Sequence, residues 1–152
     1  MTYKLIILCV LVLLAILFIS ACSAKRPDNL GVVNGEFAAC PSSPNCVSSQ
    51  AADPEHKIDP LKAHGNIKNV MEKLKKSIEQ MEGGKVITQE GTYLHAEFTS
   101  RIMRFVDDLE CFYQEENGEI AVRSASRIGY SDFSANRKRI EHLRTIFESM
   151  QQ

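Results

Sequence analysis

Val106-Asp-Asp-Leu-Glu-Cys-Phe-Tyr-Gln-Glu-Glu-Asn-Gly-Glu-Ile-Ala-Val-Arg-Ser-Ala-Ser126 reads as a β-hairpin. One strand is expected from about Val106 to Glu115 and its return from about Glu119 to Ser126. Asn117-Gly118 between them carries the sequence signal of a type I′ turn, which needs positive φ at both central residues. A two-residue turn would set Tyr113 opposite Val122, Cys111 opposite Ser124 and Leu109 opposite Ser126, a mainly apolar face. On the reverse face Phe112 would oppose Arg123, Glu110 would oppose Ala125 and Asp108 would oppose Arg127. Glu110 then lies diagonal to both arginines in a charged ladder.

Upstream, Lys85 to Thr99 reads as two further strands around Glu90-Gly91. In Tyr93-Leu-His-Ala-Glu-Phe98, alternation sends Leu94, Ala96 and Phe98 to one side and Tyr93, His95 and Glu97 to the other. Before this pair, Ile67, Val70, Met71, Leu74, Ile78 and Met81 recur at helical spacing, with Gly83-Gly84 as the stop. After the second hairpin, Ser131 or Asp132 is expected to cap a helix carrying Phe133, Ile140, Leu143, Phe147 and Met150 on one stripe. The order is α-β-β-β-β-α. The expected fold is α+β: a four-stranded antiparallel sheet of two hairpins, with an N-terminal and a C-terminal amphipathic helix on its apolar face.

The N-terminal segment has a different character. A weakly basic start with Lys4 precedes an almost wholly apolar run, Leu5 to Ile19, then Ile19-Ser20-Ala21-Cys22. An aliphatic residue, two small residues and a cysteine match the lipobox of bacterial lipoproteins. The run is shorter than the roughly 20 residues that span a bilayer comfortably. Cleavage before Cys22 and acylation of that cysteine are therefore expected, and two or three palmitate-length chains at about 0.8 kcal/mol per buried methylene hold firmly. Ser23 after the cysteine favours the outer membrane if the host is Gram-negative. The expected organisation is a signal peptide over 1–21, a lipidated flexible tether over 22–38 and a single α+β domain over 39–152.

Composition excludes little else. The chain has 152 residues, 24% of them charged, with a formal net charge of -1. Nucleic-acid binders usually carry a strong basic excess, so nucleic acid is not an expected partner. The expected partners are the membrane, through lipid on Cys22, and an envelope protein or an anionic ligand.

Cys40-Pro-Ser-Ser-Pro-Asn-Cys46-Val-Ser-Ser opens the domain. In an exported chain two cysteines this close read as a local disulfide. Zinc is the alternative, although the spacing is not the usual C-x₂₋₄-C and no second pair exists, so no metal is expected. The compact Cys-X-X-Cys of redox-active pairs is absent. Cys111, on a core-facing strand position, reads as a buried free thiol.

This cysteine motif, Tyr93-Leu-His-Ala-Glu-Phe98, Arg104-Phe-Val-Asp-Asp108 and Arg123-Ser-Ala-Ser-Arg-Ile-Gly-Tyr-Ser-Asp132, with Asn136-Arg137 after it, together resemble the domain of unknown function family 1499. The likeness covers roughly residues 38–150, and Cys111 is not part of its pattern. It implies no assigned reaction, cofactor or substrate.

Two clusters are candidate sites. If the hairpins form one sheet, His95, Glu97, Glu110, Arg123 and Arg127 converge on its polar face. They would bind an anionic group, let His95 act as acid or base with Glu97 orienting it, or form a structural salt-bridge network. The second candidate is an anion loop ahead of the last helix, with Arg101, Tyr130, Asp132 and Arg137. Asp107-Asp108 is no catalytic dyad, because strand neighbours project to opposite faces. No G-x-S-x-G elbow surrounds Ser124, Ser126 or Ser131, and no phosphate-binding glycine loop is present. The functional expectation is an envelope lipoprotein whose domain presents a polar, arginine-containing face for binding or structure, with no cofactor. The alternative is a small enzyme using His95 and Glu97 with Arg123 as an anion clamp.

Overall fold

The computed structural model describes residues 3, 6–8 and 25–151, so the lipobox and Cys22 lie outside the described residues. Tyr3 and Ile6–Leu8 are helical. No helix among the described residues is long and apolar enough to cross a membrane.

The domain is α+β. Six strands, β1 (Cys46–Ser48), β2 (Leu61–Lys62), β3 (Gly84–Glu90), β4 (Tyr93–Thr99), β5 (Val106–Gln114) and β6 (Glu119–Ser126), accompany two helices, α1 (Ile67–Glu79) and α2 (Ala135–Ser149). The sheet runs β1-β6-β5-β4-β3, all antiparallel, with β2 also on the outer side of β6. The two expected hairpins are joined through β4 and β5, where His95 faces Glu110 and Glu97 faces Asp108.

Four strands are thus too few. Cys46–Ser48 and Leu61–Lys62 cover the far edge of β6, at Arg123–Ala125 and at Ile120. An uncovered edge would leave a row of unpaired amides and carbonyls. Segments of three and two residues are too short to display a strand period, so they read as loop. Their apolar side chains, Val47 and Leu61, are nevertheless part of the core.

The register of the second hairpin also differs from the expectation. Cys111 pairs with Val122, Leu109 with Ser124, Tyr113 with Ile120 and Glu110 with Arg123, while Asp108 faces Ala125 and Phe112 faces Ala121. Every partner is two residues from the expected one. The cause is the turn: Gln114 and Glu119 are the last pair, and Glu115 to Gly118 form a four-residue loop. Asn117 N–H donates to Gln114 O and Gly118 N–H to Glu115 O. Only Gly118 of the two has positive φ, so the turn is not type I′. A shift of two preserves which face each side chain takes, so the apolar and polar sides of the sheet are as expected.

Helix α1 starts at Asn66, whose side chain accepts from Asn69 N–H, and buries Val70, Met71, Leu74 and Ile78. Gly83 and Gly84 then turn the chain tightly into β3. A Cβ on Gly84 would lie 2.5 Å from Ile78 O, and one on Gly83 2.5 Å from Thr99 O. Glycine is required there by close approach. Helix α2 places Ile140, Leu143 and Phe147 in the core. Its N-cap is Ser134, not Ser131 or Asp132, and makes no side-chain cap bond; Asp132 instead accepts from Ser134 and Asn136 N–H at 2.9 and 2.8 Å. Phe133 is not on the core stripe: it lies in a left-handed turn before the helix and is 87% exposed. Both helices cover the apolar face formed by Leu94, Ala96, Leu109, Cys111, Tyr113 and Val122. Cys111 is a buried free thiol, and burial pushes its pKa well up.

Candidate functional site

The polar face of the sheet holds the first candidate cluster, and the β4–β5–β6 pairing brings its members together. Asp108 is the centre. His95 Nε2 lies 2.8 Å from Asp108 Oδ1, and Arg127 Nε donates to Asp108 Oδ2 at 2.8 Å. Arg127 Nη2 donates both to Asp108 Oδ1 at 2.7 Å and to Glu97 Oε1 at 2.6 Å. Burial alone would raise the carboxyl pKa of Asp108, but the hydrogen bonds from Arg127 and His95 outweigh it and hold the group below the usual range. Glu97 follows the same logic, with burial opposed by Arg127 and Arg26. The bond to Asp108 is the main reason Arg127 holds its proton still more firmly than a free guanidinium.

Beside it lies a second unit. Arg123 Nη1 donates to Glu110 Oε2 at 3.0 Å, and Tyr93 Oη to Glu110 Oε1 at 3.0 Å. Burial, then the Glu110 charge, raises the Tyr93 phenol far above its ordinary pKa.

This face was expected to be exposed, and it is not. Glu110 is fully buried, and His95, Asp108 and Arg123 are buried with it. The cover is the stretch read as a tether, of which residues 25–38 are described. Arg26 donates to Glu97 through Nε at 2.9 Å and Nη2 at 2.6 Å. Gly31 N–H donates to Glu110 Oε1 at 2.6 Å. The chain then turns back, with Val33 paired to Glu36, and Phe37 N–H reaches Gln50 Oε1. A Gly- and Pro-containing segment without a period gives no sign of this in sequence. Arg26, Gly31 and Tyr93 are therefore parts of the network that sequence reasoning missed.

Geometry limits what the cluster can do. One ligand atom from each of His95, Glu97 and Asp108 falls within 4.8 Å of the others, a spacing that would suit a metal ion. The Arg127 guanidinium already bonds the oxygens of both carboxylates, so a cation occupies that position. His95 is enclosed, and it lines neither the cleft beside Phe98 nor the cavity beside Phe112. Every charge in the group has a counter-charge. A network of this kind fixes the pairing of strands, and Arg123 Nε is the one buried side-chain polar atom among the described residues left without a hydrogen-bond partner.

The anion-loop residues do not converge. Arg137 donates to the backbone oxygens of Lys57 and Glu55, both at 2.8 Å, and so ties α2 to the loop after β1. Arg127 belongs to the sheet face, Asp132 accepts from the first amides of α2, and Arg101 and Tyr130 are exposed on two neighbouring loops, β4–β5 and β6–α2. The cysteines behave as expected: Cys40 and Cys46 form a disulfide.

The structure adds a site that the sequence did not suggest. A cleft of about 570 Å³ opens between the β4–β5 loop, the β6–α2 loop and the start of α2. Phe98, Phe105, Ile128 and Phe133 line it, with Arg139 and Lys138 along one wall. Arg139 sits 4.8 Å over the Phe98 ring and is held by Asp107 Oδ2 at 2.5 Å and Ser124 Oγ at 2.9 Å. Asn136, fully buried, joins the same group through Ser124 and through the backbone of Asn45. Phe133, which lines the cleft, and Arg104 and Ser134, each next in sequence to a lining residue, have positive φ. Such strain persists only where surrounding structure imposes it, and it concentrates at binding sites. A second cavity of about 550 Å³, with Gly35, Phe112 and Glu115 in its wall, lies at the other end of the sheet.

No curated protein and no solved structure matches the chain. A family model does: the one described as Protein of unknown function (DUF1499) matches residues 36–147, most of the length, and the chain belongs to that family.

Proposed function

We propose that the protein is an envelope lipoprotein, anchored by lipid on Cys22, whose domain binds a ligand and does not catalyse. The binding site in this reading is the cleft beside Phe98, Phe105 and Ile128, not the polar sheet face. The observation that carries it is a concave, largely apolar pocket with basic side chains at its wall, the usual form of a small-molecule site. Phe98, Phe105, Ile128 and Phe133 suit an apolar body, and Lys138 suits an anionic end, whereas Arg139 is already held by Asp107. An amphipathic anion such as a fatty acid or a phospholipid has that chemistry, and the lipobox would keep the domain beside such molecules. The sheet-face charges are mutually paired, which speaks for a structural role there.

The test has two arms. Cys22→Ser should abolish acyl labelling and release the protein from the membrane fraction; unchanged labelling and fractionation would end the lipoprotein reading. Purified protein should enhance the emission of a dansyl fatty acid, and Ile128→Asp should remove that enhancement at an unchanged melting temperature. Equal binding by the parent protein and the variant would rule out the cleft.

A further inference from the structure

We infer that the loops at the cleft mouth form a membrane-contacting surface, so that the domain lies with this end of its sheet against the lipid to which it is anchored. The inference rests on the anchor reading of Cys22 and goes beyond it by fixing which surface meets the bilayer.

Two observations coincide. First, the β4–β5 loop carries exposed Ile102, Met103 and Phe105, and the β6–α2 loop carries exposed Ile128, Tyr130 and Phe133. Ile102 is 86% exposed and Phe133 87%. Scattered single apolar residues need no explanation, but six on two adjacent loops form a patch. Arg101, Arg104 and Lys138 stand exposed among them, against Glu82 at the cleft and Asp132, whose carboxylate is engaged by α2. Apolar tips ringed by basic residues match an interface between acyl chains and anionic headgroups.

Second, the chain leading from the anchor docks at this end. Arg26 is fixed on Glu97, and Glu97 is two residues from Thr99, whose pairing with Val106 closes the strands next to the loop. That is a distance of about 7 Å along the strand. Cys22 is four residues before Arg26, a reach of at most about 14 Å. The opposite end of the sheet is farther away. Gln114 lies six residues beyond Asp108, the partner of Glu97, about 20 Å along β5 in the other direction. From Arg26 the covering segment runs away from the loops, through Gly31 on Glu110 towards Gly35 near Phe112 and Glu115. A lipid on Cys22 therefore pulls the loop end, and not the Glu115–Gly118 turn, towards the bilayer.

The occupant of this patch is the bilayer itself. A protein partner would explain the apolar loops, but not their position beside the anchor.

The chain contains no tryptophan, so one introduced residue gives a clean fluorescent reporter. Ile102→Trp, Phe133→Trp and, as control, Val33→Trp all replace exposed apolar residues, and Val33 belongs to the far turn of the covering segment. The full lipidated protein is reconstituted in phosphatidylethanolamine–phosphatidylglycerol vesicles carrying brominated acyl chains. The inference expects the protein to float with the vesicles, with Ile102→Trp and Phe133→Trp blue-shifted and most of their emission lost to bromine. Val33→Trp should keep its emission. Failure to float would overturn the anchor reading and this inference together. Flotation with unquenched loop reporters, or with equal quenching at all three positions, would overturn the docking surface alone.

Discussion

Replacing Arg127 by methionine tests whether the buried charges on the sheet hold the fold or serve a ligand. Arg127 makes two hydrogen bonds to Asp108, at 2.8 and 2.7 Å, and one to Glu97, at 2.6 Å. After substitution Glu97 keeps Arg26, but Asp108 keeps only His95. Removing one partner of a buried ion pair typically costs about 3–5 kcal/mol, because the other charge stays buried without compensation. His95 offsets part of that, so a loss of about 3 kcal/mol is expected. In a domain of this size each kcal/mol moves the melting temperature by about 4 °C, giving a fall of about 12 °C. Asp108→Asn alone should also destabilise. In the double variant Arg127→Met/Asp108→Asn the two losses should fail to add by about 1–3 kcal/mol, the signature of direct contact. Denaturant titration of the four proteins, read by circular dichroism, supplies the cycle. A melting temperature within about 2 °C of the parent for Arg127→Met would refute the structural assignment and return the cluster to consideration as a binding site.

Further outcomes follow from other contacts. His56 lies 2.7 Å from Asp53 Oδ1 through Nδ1 and 3.2 Å from Ser43 O through Nε2; burial opposes its protonation, but these acceptors prevail and raise its pKa. A raised histidine contributes stability that is full below its unfolded pKa of about 6.5 and is lost as pH rises through the folded value. Parent protein should therefore lose its advantage over His56→Gln as pH rises above about 6.5, and a gap that widens with pH would contradict the sign. Cys40→Ser should cost about 2 kcal/mol, as expected for so short a loop, and non-reducing peptide mapping should find Cys40 joined to Cys46; free thiols at both would dispose of the bond. Gly84→Ala brings a methyl to 2.5 Å from Ile78 O and should lower the thermal midpoint clearly, whereas Gly91→Ala, with open space around it, should cost only backbone strain; equal effects would refute the close-approach argument.

What the sequence determined is the local order. The apolar spacing in Ile67 to Ile78 and in Ile140 to Phe147 fixes two helices and their buried faces, because a 3.6-residue period is a property of the segment itself. Alternation in Tyr93 to Phe98 and in Leu109 to Tyr113 likewise fixes which side chains meet the core; Asp108 faces Ala125 and not Arg127 as expected, and its bond to Arg127 is a diagonal side-chain contact on the face that parity assigns to both. The tertiary structure decided everything that depends on residues far apart in the chain. Whether Asn117-Gly118 is the turn or only its last half set Glu110 against Arg123 instead of Ala125. Cys46–Ser48 became a strand only because β6 offered an edge. Residues 26 to 31 close the polar face only because Glu97 and Glu110 present carboxylates there. The cleft exists where two loops with no period of their own meet the start of a helix. Local periodicity is encoded residue by residue, whereas register, edge pairing and concavity are free energies of the assembled sheet, and no single segment contains them.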